Sequence, residues 1–177
     1  MSAQTLKGKT LFIRALAAFE KPLVAAVEGP AIGIGTTLCF HCDLVYAAAN
    51  ARFQMPFVNL GLVPEAGSSL LAPQRFGYAK AAEAILLAES FDAAAARELG
   101  LVNAIVEPGE LYAHALGKAQ ALAAKPRDAL LATRRLLRGD PAILKARMDE
   151  ELRLFGEAVR SPQARAAFSA FMERAKA

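Results

Sequence analysis

Glu65 is the residue whose type and setting best suit acid-base chemistry. It follows a proline in FQMPFVNLGLVPEAGSS and stands between Gly61 and Gly67 among apolar neighbours. Poor solvation there would raise a carboxylate's pKa toward neutrality, which a general base requires. An isolated Glu after Pro also suits a helix cap or a solvated turn, and the residue types alone leave both open. A second segment, GPAIGIGTT, lies between an apolar run and a helical pattern. Its glycines allow a tight strand-to-helix turn, and the first amides of the helix, near Ile34 and Gly35, would point at one spot and stabilise negative charge there. Packing alone is the competing explanation for these glycines.

Other chemistries fit the chain less well. A dinucleotide fingerprint would need a third glycine where Leu38 stands, and a Walker loop would need a lysine that this turn lacks. Cys39-Phe-His-Cys42 has redox or metal-ligand spacing, but only His114 remains as a further soft ligand, and residues 39–42 fall in an apolar helical run. A plain buried core is the better reading, and no metal is expected. With two histidines and no G-x-S-x-G elbow, a Ser-His-Asp hydrolase is poorly supported.

These groups must be carried by a folded domain. The chain has 177 residues, 55% of them hydrophobic and 21% charged, which suits one well-buried domain. Lys21, Glu28, Asp43, Arg52 and Glu65 interrupt every apolar run short of a membrane span. The basic amphipathic opening stretch runs into Pro22 without a cleavage-like break and is read as an ordinary helix. Two cysteines and no targeting address at the C-terminal AKA point to a reducing cytoplasm. The net charge of +4 is uneven: from Lys125 onward there are 12 Lys or Arg against 7 Asp or Glu, before it 9 against 10. Without interleaved aromatics this excess gives no nucleic-acid signature, so an anionic ligand tail or solubility remains.

Element types alternate along the chain. A helix to Glu20 precedes a strand over 22–27, the glycine turn over 29–35, a helix, a strand over 44–48 and an extended piece over 52–54. Helical patterns cover 69–75 and 78–88. Asp92 should cap a short helix ending at Gly100, before a strand over 101–106 and a turn at Pro108-Gly109. From Glu110 on, every periodic stretch is helical. The pattern predicts an α/β core over 1–124 and a helical region over 125–177.

The stretch KPLVAAVEGPAIGIGTTLCFHCDLVYAAANARFQMPFVNLGLVPEAGSS, with AAEAILLAESFDAAAARELGLVNAIV after it, resembles the enoyl-CoA hydratase/isomerase family, the crotonases. The resemblance covers residues 21–176 and implies a spiral of ββα turns followed by a helical C-terminal region. It also implies an acyl-CoA thioester substrate, coenzyme A as part of that substrate rather than a separate cofactor, and assembly as a homotrimer or hexamer without nucleic acid or membrane. Within such a fold Ile34 would carry an oxyanion-hole amide, flanked by Gly33 and Gly35. Family hydratases carry two glutamates where this chain has Thr37 and Phe57, whereas the 3,2-trans-enoyl-CoA isomerases use one, matched here by Glu65. Phe57, Leu60 and Leu62 would line the acyl pocket. Phe171 and Arg174 would lie near the CoA. The family pattern has a segment ahead of the opening helix, bearing the first spiral turns and the other oxyanion donor, and this chain is expected to be truncated there. The expectation is therefore a 3-enoyl-CoA to 2-trans-enoyl-CoA isomerase. A catalytically impaired scaffold, or a hydratase-like enzyme of other chemistry, is the alternative.

Overall fold

The structure, a computed structural model, describes residues 3–174, except that the side chains of residues 3–7, 9, 172 and 174 lie outside the description. Helix α1 (Ala3–Ala17) leads to β1 (Val24–Val27), and after the left-handed Gly29 (φ 76°) comes β2 (Pro30–Ile32). Helix α2 (Ile34–Cys39) returns the chain to β3 (Leu44–Ala47) and β4 (Arg52–Gln54). A 3-10 turn (Val58–Leu60) precedes α3 (Ser68–Phe76) and α4 (Tyr78–Ala82), which runs into a π-helical turn (Glu83–Leu87). Strand β5 (Phe91–Asp92), α5 (Ala93–Glu98) and β6 (Ala104–Ile105) follow, then α6 (Pro108–Ala123), α7 (Arg127–Arg138), α8 (Pro141–Ala158) and α9 (Pro162–Arg174).

The strands form two sheets, each of three strands. One is parallel, in the order β1-β3-β6; in the other, β2 pairs parallel with β4, and β4 antiparallel with β5. Each strand pair β1–β2 and β3–β4 thus contributes one strand to each sheet before a helix closes the turn, which is a ββα spiral. Val45, Ala47, Phe53, Met55 and Leu101 are fully enclosed between the sheets and helices. Burial of each large apolar side chain is worth about 1.5–3 kcal/mol. Helix α6 covers the outer face of the first sheet, setting Leu111 and Ala115 against Tyr46 and Ala48. Helix α8 packs on α1 and α3, and α9 on the 3-10 turn. That last contact is close: a Cβ on Gly61 (φ 66°) would sit 3.0 Å from the Ala164 amide nitrogen. No described helix is long and apolar enough to cross a membrane.

Several local expectations change. Residues 30–32, read as part of the glycine turn, form β2, because their partner β4 lies beside them only in the folded chain. The strand expected over 101–106 shrinks to Ala104–Ile105, since the Leu101 and Val102 amides donate to the Ala96 carbonyl and finish α5 instead. Pro108-Gly109 opens α6 rather than a turn, consistent with proline's fitness for the first helical position. Asp92 does cap α5, accepting from the Ala95 amide at 2.9 Å.

Candidate active site

Glu65 is 6% exposed and sits where the chain leaves the 3-10 turn to begin α3. The two residues after it, Ala66 (φ 60°) and Gly67 (φ 71°), are both left-handed. That conformation is uncommon for alanine and must be held by its surroundings. The Ser68 amide and hydroxyl both donate to the Glu65 carbonyl, at 3.0 and 2.6 Å. Glu65 faces a small cavity of about 30 Å³ between α1 and α8, whose wall includes Ile13, Met148, Leu152 and Phe155, with Arg14 and Glu151 as its other charged groups. Arg14 and Met148 also border a wider groove of about 490 Å³ between the end of α1 and the start of α8.

Glu151, on α8, is a site residue that the sequence does not single out, yet it is 4% exposed and bonded to the loop that follows Glu65. Its Oε2 accepts from the Gly67 amide (2.6 Å), and its Oε1 from the Ser69 amide (2.9 Å) and hydroxyl (2.6 Å). This carboxylate therefore caps the N-terminus of α3 from a helix over 80 residues away. Only its heptad-like position among apolar α8 residues could have marked it as inward-facing.

Ile34 is the first residue of α2, half-buried and packed in the same apolar cluster as Ala66, Ile13 and Met148. The Thr36 and Thr37 amides donate to the Gly33 carbonyl, both at 3.0 Å. The Ile34 and Gly35 amides precede that ladder and, as first amides of a helix, have no acceptor within it. Thr36 anchors the turn by donating to the Ala31 carbonyl and accepting from the Gln54 amide (3.0 Å). Thr37 is fully buried, and its hydroxyl has no hydrogen-bond partner among the described residues. Beyond α2, His41 is fully buried and its Nε2 donates to the Ala66 carbonyl at 2.7 Å, so the end of the Ile34 helix touches the Glu65 loop. Burial pushes the His41 pKa below its ordinary value.

The other expected site residues are more dispersed. Phe57 and Leu62 are buried in the main core and Leu60 packs against it, so the wall beside Glu65 comes instead from α1 and α8. Phe171, on α9, is 52% exposed, and Arg174 ends that helix with its side chain outside the described residues. Cys39 and Cys42 donate to the Gly35 and Leu38 carbonyls, and burial pushes their pKa values up to about 12 and about 11. The basic excess of the C-terminal part is partly structural: Arg134, itself buried, pairs with the partly buried Asp43, its Nε 2.9 Å from both carboxylate oxygens, and Arg138 donates to the His41 carbonyl.

This arrangement sets the buried Glu65 carboxylate on a loop that packs against the start of α2, and known proteins resemble the chain at the level of family. The enoyl-CoA hydratase/isomerase family model matches residues 3–177. The chain is 34% identical over 160 residues to the 2,3-dehydroadipyl-CoA hydratase of Escherichia coli (strain K12), covering 90% of this chain and 63% of that protein. It is 37% identical over 127 residues to enoyl-CoA delta isomerase 2 of Rattus norvegicus, covering 72% of this chain and 32% of that protein. An enoyl-CoA hydratase/isomerase from Pseudoalteromonas atlantica T6c superposes with a TM-score of 0.89 at 40% identity, over 92% of this chain and 66% of that one. Hydratase names dominate among the relatives. The chain spans somewhat less than two thirds of the length of the first of them. By family model, sequence and spiral fold, the chain belongs to the enoyl-CoA hydratase/isomerase family.

Proposed function

We propose that this chain is an isomerase-type acyl-CoA enzyme, moving the double bond of a 3-enoyl-CoA to the 2-trans position with Glu65 as its one acid/base. The observation that carries the reading is the burial of Glu65 beside a cavity, while Thr37 and Phe57, the positions that resemble the hydratase glutamates, hold no carboxylate. The Glu65 carboxylate takes a proton from the α carbon. The resulting dienolate places negative charge on the thioester oxygen, where a backbone donor such as the Ile34 amide is worth about 3 kcal/mol. The same carboxyl then returns the proton to the γ carbon, so one group on one face completes the shift. Ile13, Met148 and Leu152 supply apolar surface for the acyl group near Glu65. Coenzyme A belongs to the substrate, and the reaction uses no further cofactor.

The relative named enoyl-CoA delta isomerase 2 supports this reading, whereas the prevailing hydratase names favour a second one, hydration of a 2-enoyl-CoA. Hydration needs a water held and deprotonated while a proton reaches the α carbon, and two carboxylates ordinarily divide that work. Of the two carboxylates at this cavity, Glu151 already accepts three hydrogen bonds from the α3 start. Assembly as a homotrimer or hexamer in the cytoplasm belongs to the same proposal. It would give cover to apolar side chains such as Leu136, Leu137 and Phe171, which the single chain leaves exposed.

The deciding experiment measures both reactions on the unmodified protein and on Glu65→Gln. Isomerisation should fall by about 100 to 10,000-fold with acyl-CoA binding nearly unchanged. Undiminished turnover by the variant would remove Glu65 from the mechanism. Hydration that outpaces isomerisation in the unmodified protein would establish the second reading.

A further inference from the structure

The peptide group between Ala66 and Gly67 is held at both ends. Its carbonyl oxygen, on Ala66, accepts from His41 Nε2 at 2.7 Å, and its amide, on Gly67, donates to Glu151 Oε2 at 2.6 Å. His41 comes from the end of α2 and Glu151 from α8, so the two grips arrive from separate elements 110 residues apart in the chain. Both side chains are buried, at 0% and 4% exposure. The gripped peptide lies one residue beyond Glu65 and joins the two left-handed residues of the loop. Rotation of this peptide plane would break both bonds together and would change ψ of Ala66 and φ of Gly67, the left-handed turn that fixes how Glu65 is joined to the start of α3. The other Glu151 oxygen holds Ser69, and Ser68 holds the Glu65 carbonyl, so the loop is braced on either side of the plane. A neutral imidazole suits this task, since only Nε2–H is used and Nδ1 has no hydrogen-bond partner among the described residues.

We infer that Glu151 and His41 are positioning residues for Glu65, acting as a two-sided clamp on the Ala66–Gly67 peptide. The inference rests on the proposal that Glu65 is the acid/base. Neither clamp residue is assigned a proton transfer. A displacement of about 1 Å in a catalytic group costs on the order of 100-fold in rate, so loosening the clamp should lower kcat more than it weakens substrate binding.

The test uses His41→Phe, His41→Gln, Glu151→Gln and Glu65→Gln in the full 177-residue chain, read by steady-state isomerisation of a 3-enoyl-CoA and by amide hydrogen exchange without substrate. His41→Phe keeps a ring but loses the donor; His41→Gln keeps a donor. The clamp predicts a kcat about 10 to 100-fold lower for His41→Phe and Glu151→Gln, with KM within about twofold, and at least partial recovery in His41→Gln. It also predicts faster exchange at the Gly67 amide in His41→Phe, although His41 does not touch that amide. A role in general stability would raise exchange throughout α3 and would not favour His41→Gln. If Glu65→Gln abolishes turnover while the two clamp variants stay within about twofold of the unmodified kcat, the clamp is wrong and the Glu65 assignment stands. If Glu65→Gln turns over normally, the Glu65 assignment fails instead. Should the chain not isomerise at all, unchanged Gly67 exchange in His41→Phe overturns the clamp, and accelerated exchange confined to 65–69 supports it.

Discussion

Two helix ends in this molecule are closed by side chains from far along the sequence, and they differ in sign. At the start of α3 the exposed backbone groups are amides, and the distant group is the Glu151 carboxylate. At the end of α2 they are carbonyls, and the distant groups are guanidiniums: Arg75 donates to the Phe40 and Cys42 carbonyls, and Arg138 to that of His41. Arg134 joins them by pairing with Asp43 and donating to the Phe19 and Glu20 carbonyls. Each choice follows the helix dipole, anion at the N-terminus and cation at the C-terminus. The outcomes differ because the α2 end is filled, with its thiols bonded and raised in pKa, whereas the α3 start borders a cavity that Glu65 faces. One end is built for stability, and the other combines stability with access.

Breaking the stability end should have the largest effect on folding. Arg134→Ala leaves the partly buried Asp43 carboxylate and two carbonyls without their cation, and the loss of such a partner costs about 3 kcal/mol. Chemical denaturation should show that loss. At temperatures where the variant remains folded, its kcat should stay close to that of the unmodified protein, whereas Glu151→Gln should lower kcat with a smaller loss of stability. A matching loss of kcat in both would erase the distinction between the two ends.

Gly67→Ala tests the other end through its backbone. A Cβ there would collide with Leu144 Cδ1 and lie 3.3 Å from Met148 Cγ, in addition to the strain at φ 71°. The left-handed strain alone is about 1–2 kcal/mol, and the collision with α8 should add to it. Gly100→Ala is the control, since Gly100 ends α5 with φ 77° and the Leu101 amide bonded back to the Ala96 carbonyl, a left-handed helix end, and an added Cβ would meet only the Arg75 carbonyl oxygen at 3.7 Å. Thermal unfolding of the two variants should show the larger loss for Gly67→Ala. Equal losses would show that α8 yields at no cost.

His41 joins the two ends and gives the comparison a pH dependence. Its folded pKa lies below the ordinary 6.5 because of burial, against the opposing bond to the Ala66 carbonyl and reinforced by the charges of Arg138 and Arg75. The unfolded chain therefore takes up a proton near pH 6.5 that the folded chain refuses. Stability should fall as pH drops below that value, by at most about 1.4 kcal/mol per pH unit from this residue. The loss ends once pH passes below the folded pKa. His41→Gln should flatten this part of the profile, and an unchanged slope would show that other groups produce it.

The smallest effect is expected at Cys39 and Cys42. With pKa values pushed up to about 12 and about 11, little thiolate is available at neutral pH. Alkylation of the native protein by iodoacetamide should be slow compared with that of the denatured chain. Rapid native modification would show that the α2 end opens more readily than its arginines suggest.

The sequence by itself determined a good deal of this protein. The alternation of apolar runs with helical periods was enough for an α/β core with a helical C-terminal part, because those patterns are local and repeat over many residues. Asp92 was readable as a cap because its acceptor reaches only to Ala95. Glu65 was readable as a candidate because its apolar neighbours adjoin it in the chain. Residues 30–32 were hidden, since a three-residue strand is defined by its partner rather than by its own pattern. The wall beside Glu65, drawn from α1 and α8, and the grip of Glu151 and His41 on a single peptide were decided only by tertiary structure. Their partners lie 84 and 25 residues away in sequence, and no periodicity records which distant carboxylate or imidazole will meet a given amide or carbonyl.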